Sequence, residues 1–158
     1  MNEIVRLELI LESVRYAQRV QKLGMPASCF TKALREPIFF MWEMREAKSK
    51  WAAAQFRSIA SIGMKTGKGD IVYDHSIPFA YLQRKLIELA DLTHASLKDV
   101  LVQHNFACII TREEDQKLRD CGLSRKMPDD WDNNDPIARY RAARIEVETN
   151  PLFTRTAS

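Results

Sequence analysis

Between residues 3 and 22, apolar side chains recur at steps of three and four: Ile4, Leu7, Leu11 and Val14, with Glu8, Glu12, Arg15 and Arg19 on the other side. This repeat matches the 3.6-residue turn of an α-helix and would scatter over both faces of a strand. A helix with one apolar stripe must bury that stripe against other elements, which commits the chain to a core packed by helices. Gly24 and Pro26 follow as stop signals.

Further along, Ser28 to Glu36 reads as a second helix, broken or restarted by Pro37. From Ile38 to Phe56 the chain is aromatic, and Phe40, Met44, Ala47, Trp51 and Ala54 fall on one helical stripe, which predicts a long helix ending near Ser61. Residues 63–69 (GMKTGKG) hold three of the five glycines and read as a mobile loop or joint. The pattern then changes. Ile71 to Tyr73 suit a short strand, Asp74 or Ser76 a cap, and Phe79, Leu82, Leu86 and Leu89 the buried side of the next helix, with Pro78 in its first turn. Ser96 and Asp99 open another short helix, and Phe106 to Ile110 read as a second buried strand. Thr111 and Glu114 form the T-x-x-E pattern of a capping box, on a helix stopped by Gly122 with Leu123 folding back. A polar loop over 124–135 leads to Asp135-Pro136, a helix start for Ile137, Tyr140 and Ile145, and the tail from Thr149 is expected to fray.

The expected fold is therefore mainly α with a small β element, an α+β arrangement whose two strands are residues 70–73 and 106–110. One domain over 1–158 suits the length. A helical part (1–62) and a mixed part (70–146) are candidate subdomains joined by 63–69, with 149–158 a flexible tail. Apolar residues make up 46% and charged residues 28%, which excludes a disordered or fibrous chain. The longest apolar runs are as short as Ile38 to Trp42, too short for a membrane span, and Glu3 and Glu8 argue against a signal peptide. Cys29, Cys108 and Cys121 are scattered and odd in number, which reads as reduced thiols and a cytoplasmic location, with Cys108 and Cys121 favouring burial.

The sharpest local feature is Ile71 to Pro78, IVYDHSIP. An acid directly followed by histidine at a strand end, with proline three positions on, resembles the opening of the His-Asn-His (HNH) nuclease motif. That resemblance implies His75 as the base that activates water and Asp74 as a ligand of a divalent metal such as magnesium. It covers about eight residues. No asparagine stands between His75 and His94, so His94 and His104, with Asn105, are the residues left to complete a metal site. Read from the residues alone, Asp74 caps a helix and His75 bonds at its N-terminus. Glu113, Glu114 and Asp115 suit the first turn of their helix, where the helix dipole favours negative charge. The aspartates around Trp131 lack the glycine and distal glutamate of a calcium loop, so Trp131 reads as tucked against the domain, or as an interface anchor if exposed. Residues 63–69 do not match a phosphate loop, and no nucleophile elbow, zinc helix or dinucleotide turn is present.

Residues 1–70 hold 12 Lys/Arg against 7 Asp/Glu, and residues 71–158 hold 12 against 14. Lys48, Lys50, Arg57, Lys65 and Lys68 form one candidate basic patch, and Arg125, Lys126, Arg139 and Arg141 a second, with Trp131 beside it. Such patches suit nucleic acid or an acidic protein. With no complete catalytic constellation, the expected function is a non-catalytic binding or regulatory module. It would hold a protein or nucleic-acid partner through a helical, partly basic surface, without a membrane and without a cofactor, and self-association is open. The alternative is the metal-dependent, HNH-like nuclease.

Overall fold

The computed structural model describes residues 1–153. Its α-helices are α1 (Glu3–Lys22), α2 (Thr31–Ile38), α3 (Lys50–Ala53), α4 (Phe79–Ile87), α5 (His94–His104), α6 (Arg112–Asp120) and α7 (Ala138–Ala142). Its strands are β1 (Phe56–Ser58), β2 (Ile71–His75), β3 (Ala107–Thr111) and β4 (Val147–Thr149). The expected α+β class holds. The sheet is larger than expected, with four strands in the order β2-β3-β1-β4. The expected pair is there: β2 runs antiparallel to β3, with Tyr73 opposite Ile109 and Asp74 opposite Cys108. β1 lies parallel to β3, and β4 closes the far side antiparallel to β1.

The apolar stripe of α1 does what its period requires. Leu7, Ile10, Leu11, Val14 and Ala17 are buried with Leu34 and Ile38 of α2, Trp42, Leu82 and Leu86 of α4, and Leu97 and Leu101 of α5. The Asn2 side chain caps the helix by accepting from Val5 N at 2.9 Å, and Gly24 leaves it at φ 74°. β3 is buried along its whole length. Cys108 and Ile110 pack with Leu118, Leu123 and Tyr140 on one side of the sheet, while Ala107 and Ile109 pack with Ala54 and Ile71 on the other. The helical layer thus takes α1 and α2 from before residues 63–69 and α4 and α5 from after them, and β1 joins the sheet from the first half. The two layers do not divide at that loop.

Several expectations need correction. Pro37 lies inside α2, and the chain continues into a π-helical turn, Phe39–Glu43, rather than a long regular helix. Proline has no N–H to give the carbonyl four residues back, so the hydrogen-bond ladder loosens there. Beyond Glu43 come bends, the single turn α3, β1 and a 3-10 turn, Ile59–Ser61, in place of helix to residue 61. Phe40, expected on a buried stripe, is 56% exposed. Asp74 is a strand residue, and α4 starts after Pro78 with no side-chain cap. Cys121 is exposed, whereas Cys108 is buried as expected. Thr149 belongs to β4, and the buried Asn150 donates from Nδ2 to Trp51 O and Ala54 O, both at 2.8 Å. Thr149 and Asn150 are therefore tied down where fraying was expected to begin. The rest of the expected tail, 154–158, lies outside the described residues. The capping box survives intact: Thr111 Oγ1 accepts from Glu114 N at 3.1 Å, and Glu114 Oε2 accepts from Thr111 N at 2.9 Å. No helix among the described residues is long and apolar enough to cross a membrane.

Candidate functional site

Strand β2 carries Asp74 and His75 as neighbours, but successive side chains of a strand point to opposite faces. His75 turns toward the π-helical turn and Asp74 toward α7. On the first side, Glu43 accepts from three donors: His75 Nε2 at 2.9 Å, Asn105 Nδ2 at 3.0 Å and Tyr73 Oη at 2.7 Å. Only 3% of the Glu43 side chain is exposed. Burial alone would raise this carboxyl, yet the bonds from His75, Tyr73 and Asn105 hold it below the ordinary carboxylate range. Burial likewise works against the His75 charge, and the Glu43 carboxylate overrides it, so the imidazole sits above its ordinary value. Desolvation, with Glu43 beside it, pushes the Tyr73 hydroxyl far up. The result is a buried ion pair rather than a free base. His75 is further enclosed by Tyr73 edge-on at 5.9 Å and Phe79 at 5.7 Å.

On the opposite face, Asp74 Oδ2 accepts from Arg139 Nη2 and from Tyr140 Oη, the latter at 2.6 Å. Arg139 is 1% exposed and also donates to the carbonyls of His75 (2.6 Å), Leu123 (2.9 Å) and Ser124 (3.3 Å). Burial raises the Asp74 carboxyl even with Arg139 against it. Arg139 is therefore a structural cation, not part of a binding patch.

The other expected metal ligands lie elsewhere. His94 Nε2 is 2.6 Å from Glu8 Oε2 on α1. His104 packs edge-on against Tyr81 at 5.3 Å, and its Nδ1 has no partner. No group of three His, Cys, Asp or Glu side chains able to hold a metal ion occurs among the described residues. Asp74, His94 and His104 are thus not assembled into one site.

Several members of the expected basic patches have acidic partners of their own. Arg57 pairs with Glu148 at 2.5 Å, Arg141 with Asp135 at 2.5 Å, and Lys126 lies 3.6 Å from Asp129. Lys50 stands over the Trp51 ring at 4.4 Å. Lys48, Lys65, Lys68 and Arg125 are exposed. Trp131 is half-buried, donating to Asp135 O at 2.8 Å and meeting Tyr81 edge-on at 5.2 Å, which fits the tucked reading.

A different site is formed by residues to which the sequence assigned no functional role. Between α1 and α2 runs an open, mainly apolar groove of about 700 Å³, lined by Leu9, Ser13 and Tyr16 from α1 and by Ala33, Pro37, Phe40 and Met41 from α2 and the π-helical turn. Glu12 and Glu36 also line it. Tyr16 is 48% exposed and Leu9 38%. The buried cluster braces this groove from behind. Phe39 meets Phe40 edge-on at 5.1 Å and Tyr73 at 5.9 Å, and Tyr73 bonds Glu43 at the end of the same π-helical turn. The exposed phenyl of Phe40 thus sits on a turn whose neighbours Phe39 and Glu43 are anchored to Tyr73. By contrast, the space beside Glu43 and Asn105 amounts to about 20 Å³, near the room one water needs. The signal for the groove was present as Leu9 and Tyr16, apolar side chains two turns apart on α1 beside the buried stripe.

Compared with protein-family models, with curated proteins and with solved structures, the chain matches none.

Proposed function

We propose that the protein is a non-catalytic binding module that holds a protein partner on its helical face, in the groove between α1 and α2. The observation that carries this reading is the convergence of exposed Leu9, Tyr16 and Phe40 on one open apolar groove. Aromatic side chains clustered on a braced surface are the usual anchors of protein interfaces. A nucleic-acid partner is less well supported, because Arg139 is buried and Arg57 and Arg141 are neutralised by Glu148 and Asp135. The nuclease alternative would need Asp74 free for a metal and His75 free for a proton, and each is held by a buried partner.

A photo-crosslinking residue placed at Phe40, compared with one at Lys126, tests the reading. A discrete protein captured from position 40 alone, and competed away by unlabelled protein, supports it. Equal labelling from both positions removes it. Magnesium- or manganese-dependent cleavage of DNA or RNA, lost in His75→Ala with the fold retained, would put the nuclease in its place.

A further inference from the structure

The chemistry of the groove narrows the partner, on the reading that the groove is a binding site. Its charged lining is all of one sign: Glu12 on α1 and Glu36 on α2, with no lysine or arginine among the lining residues. Neither carboxylate has an ion-pair partner among the described residues, unlike Glu8 one turn earlier, which holds Arg15 and His94. Lys32, four residues before Glu36, and Arg19, seven after Glu12, are exposed and unpaired with either. Arg35, the other cation of α2, lies near enough to His75 to oppose its charge.

Shape separates the candidate occupants. Small-molecule sites enclose most of their ligand. This groove is open along its length, with short side chains, Ser13 and Ala33, between the larger Tyr16, Phe40 and Met41. Its wall positions on α1 follow one another by helical steps, from Leu9 to Ser13 to Tyr16. Such a trough accepts one face of a third helix. Within the groove itself, the two carboxylates disfavour an anionic occupant such as a phosphate backbone or a lipid headgroup.

We infer that the α1–α2 groove docks an amphipathic helix of another protein, one that carries Lys or Arg beside its apolar stripe. Its apolar side chains pack on Leu9, Tyr16 and Phe40, and its cations pair with Glu12 and Glu36 at the rim. These rim pairs set selectivity and on-rate more than total affinity.

The test uses three labelled helical peptides of roughly 18 residues, about five turns. They share one leucine stripe and have polar positions filled by Lys, by Gln or by Glu. Binding to the full chain is followed by fluorescence anisotropy at low and high salt. The Leu/Lys peptide is expected to bind about three- to tenfold more tightly than Leu/Gln at low salt, a difference of about 0.7–1.4 kcal/mol. Leu/Glu should bind least, and salt should narrow the gap. The double variant Glu12→Lys/Glu36→Lys should reverse the order, with circular dichroism unchanged because neither side chain has a partner to lose. Equal binding of Leu/Lys and Leu/Gln, or a Lys preference that survives the double variant, overturns the cationic partner while leaving the groove as a docking site. If no peptide binds and Phe40→Asp changes nothing, both readings fall. A stable dimer in sedimentation, dispersed by Phe40→Asp, would make a second copy of the chain the occupant and overturn the inference in favour of self-association.

Discussion

Removing the Arg139 guanidinium leaves the Asp74 carboxylate and the carbonyls of His75, Leu123 and Ser124 without their donor in the interior. Arg139→Met should therefore lower stability by about 3–5 kcal/mol, the usual cost of breaking a buried ion pair, read as a shift in denaturant midpoint. Lys126→Ala, at an exposed ion pair, should move stability by less than about 0.5 kcal/mol. The Glu43–His75 pair adds a pH dependence. His75 lies above its unfolded value when folded, so its contribution is complete below about pH 6.5 and is lost as pH rises through the folded value. Glu43 lies below its unfolded value, so its contribution is complete above about pH 4.3 and is lost as pH falls through the folded value. The stability gap between the native chain and Glu43→Gln should thus peak between these limits and shrink above and below them, as thermal melts across pH would record. Neither pair was legible in the sequence. Asp74 and Arg139, like Glu43 and His75, are joined by tertiary packing across long stretches of chain, and residue order carries no mark of such a meeting. The adjacency of Asp74 and His75 was legible but misleading, because a strand sends the two to opposite faces.

At the scale of single elements, what could be read was what is local. The helix α1, the capping box of α6 and the Gly122–Leu123 stop depend on residues within a few positions of one another, and each stands as expected; Leu123 N donates to Leu118 O at 2.8 Å. The failures came where a neighbour outside the window decides. Phe56–Ser58 is too short to show a period, and it is a strand because β3 and β4 flank it. The stripe from Phe40 to Ala54 assumed an unbroken 3.6-residue turn, which the π-helical turn and the bends after Glu43 deny. The α6 cap also reaches beyond its own element, since Ser58 Oγ donates to Glu114 Oε2 at 2.5 Å. Thr111→Ala should cost about 1 kcal/mol. Glu114→Ala should cost more, because the buried Ser58 hydroxyl then loses its acceptor. Chemical denaturation of the two variants under one condition gives that ranking.

Taken whole, the molecule is held together across a fully exposed connection. Residues 62–70 are all exposed, and Gly63, Gly67 and Gly69 adopt positive φ. Limited trypsin digestion should cut first at Lys65 or Lys68. The two fragments should then stay together on a native gel, because β1 of one is paired with β3 of the other and α1 shares a core with α4 and α5. Fragments that separate would mean that the halves fold as independent units. The same strand order bears on how the chain is made. β1 leaves the ribosome roughly fifty residues before β3, its parallel neighbour, and still earlier than β4, which covers its other side. Loop closure of that length makes such pairing slow. During synthesis the future centre of the sheet is an unpaired segment on a chain whose α1 is already amphipathic. The nascent chain therefore has an interval in which a holding chaperone would find its target in the first sixty residues, and a stalled or truncated product would be prone to aggregate there.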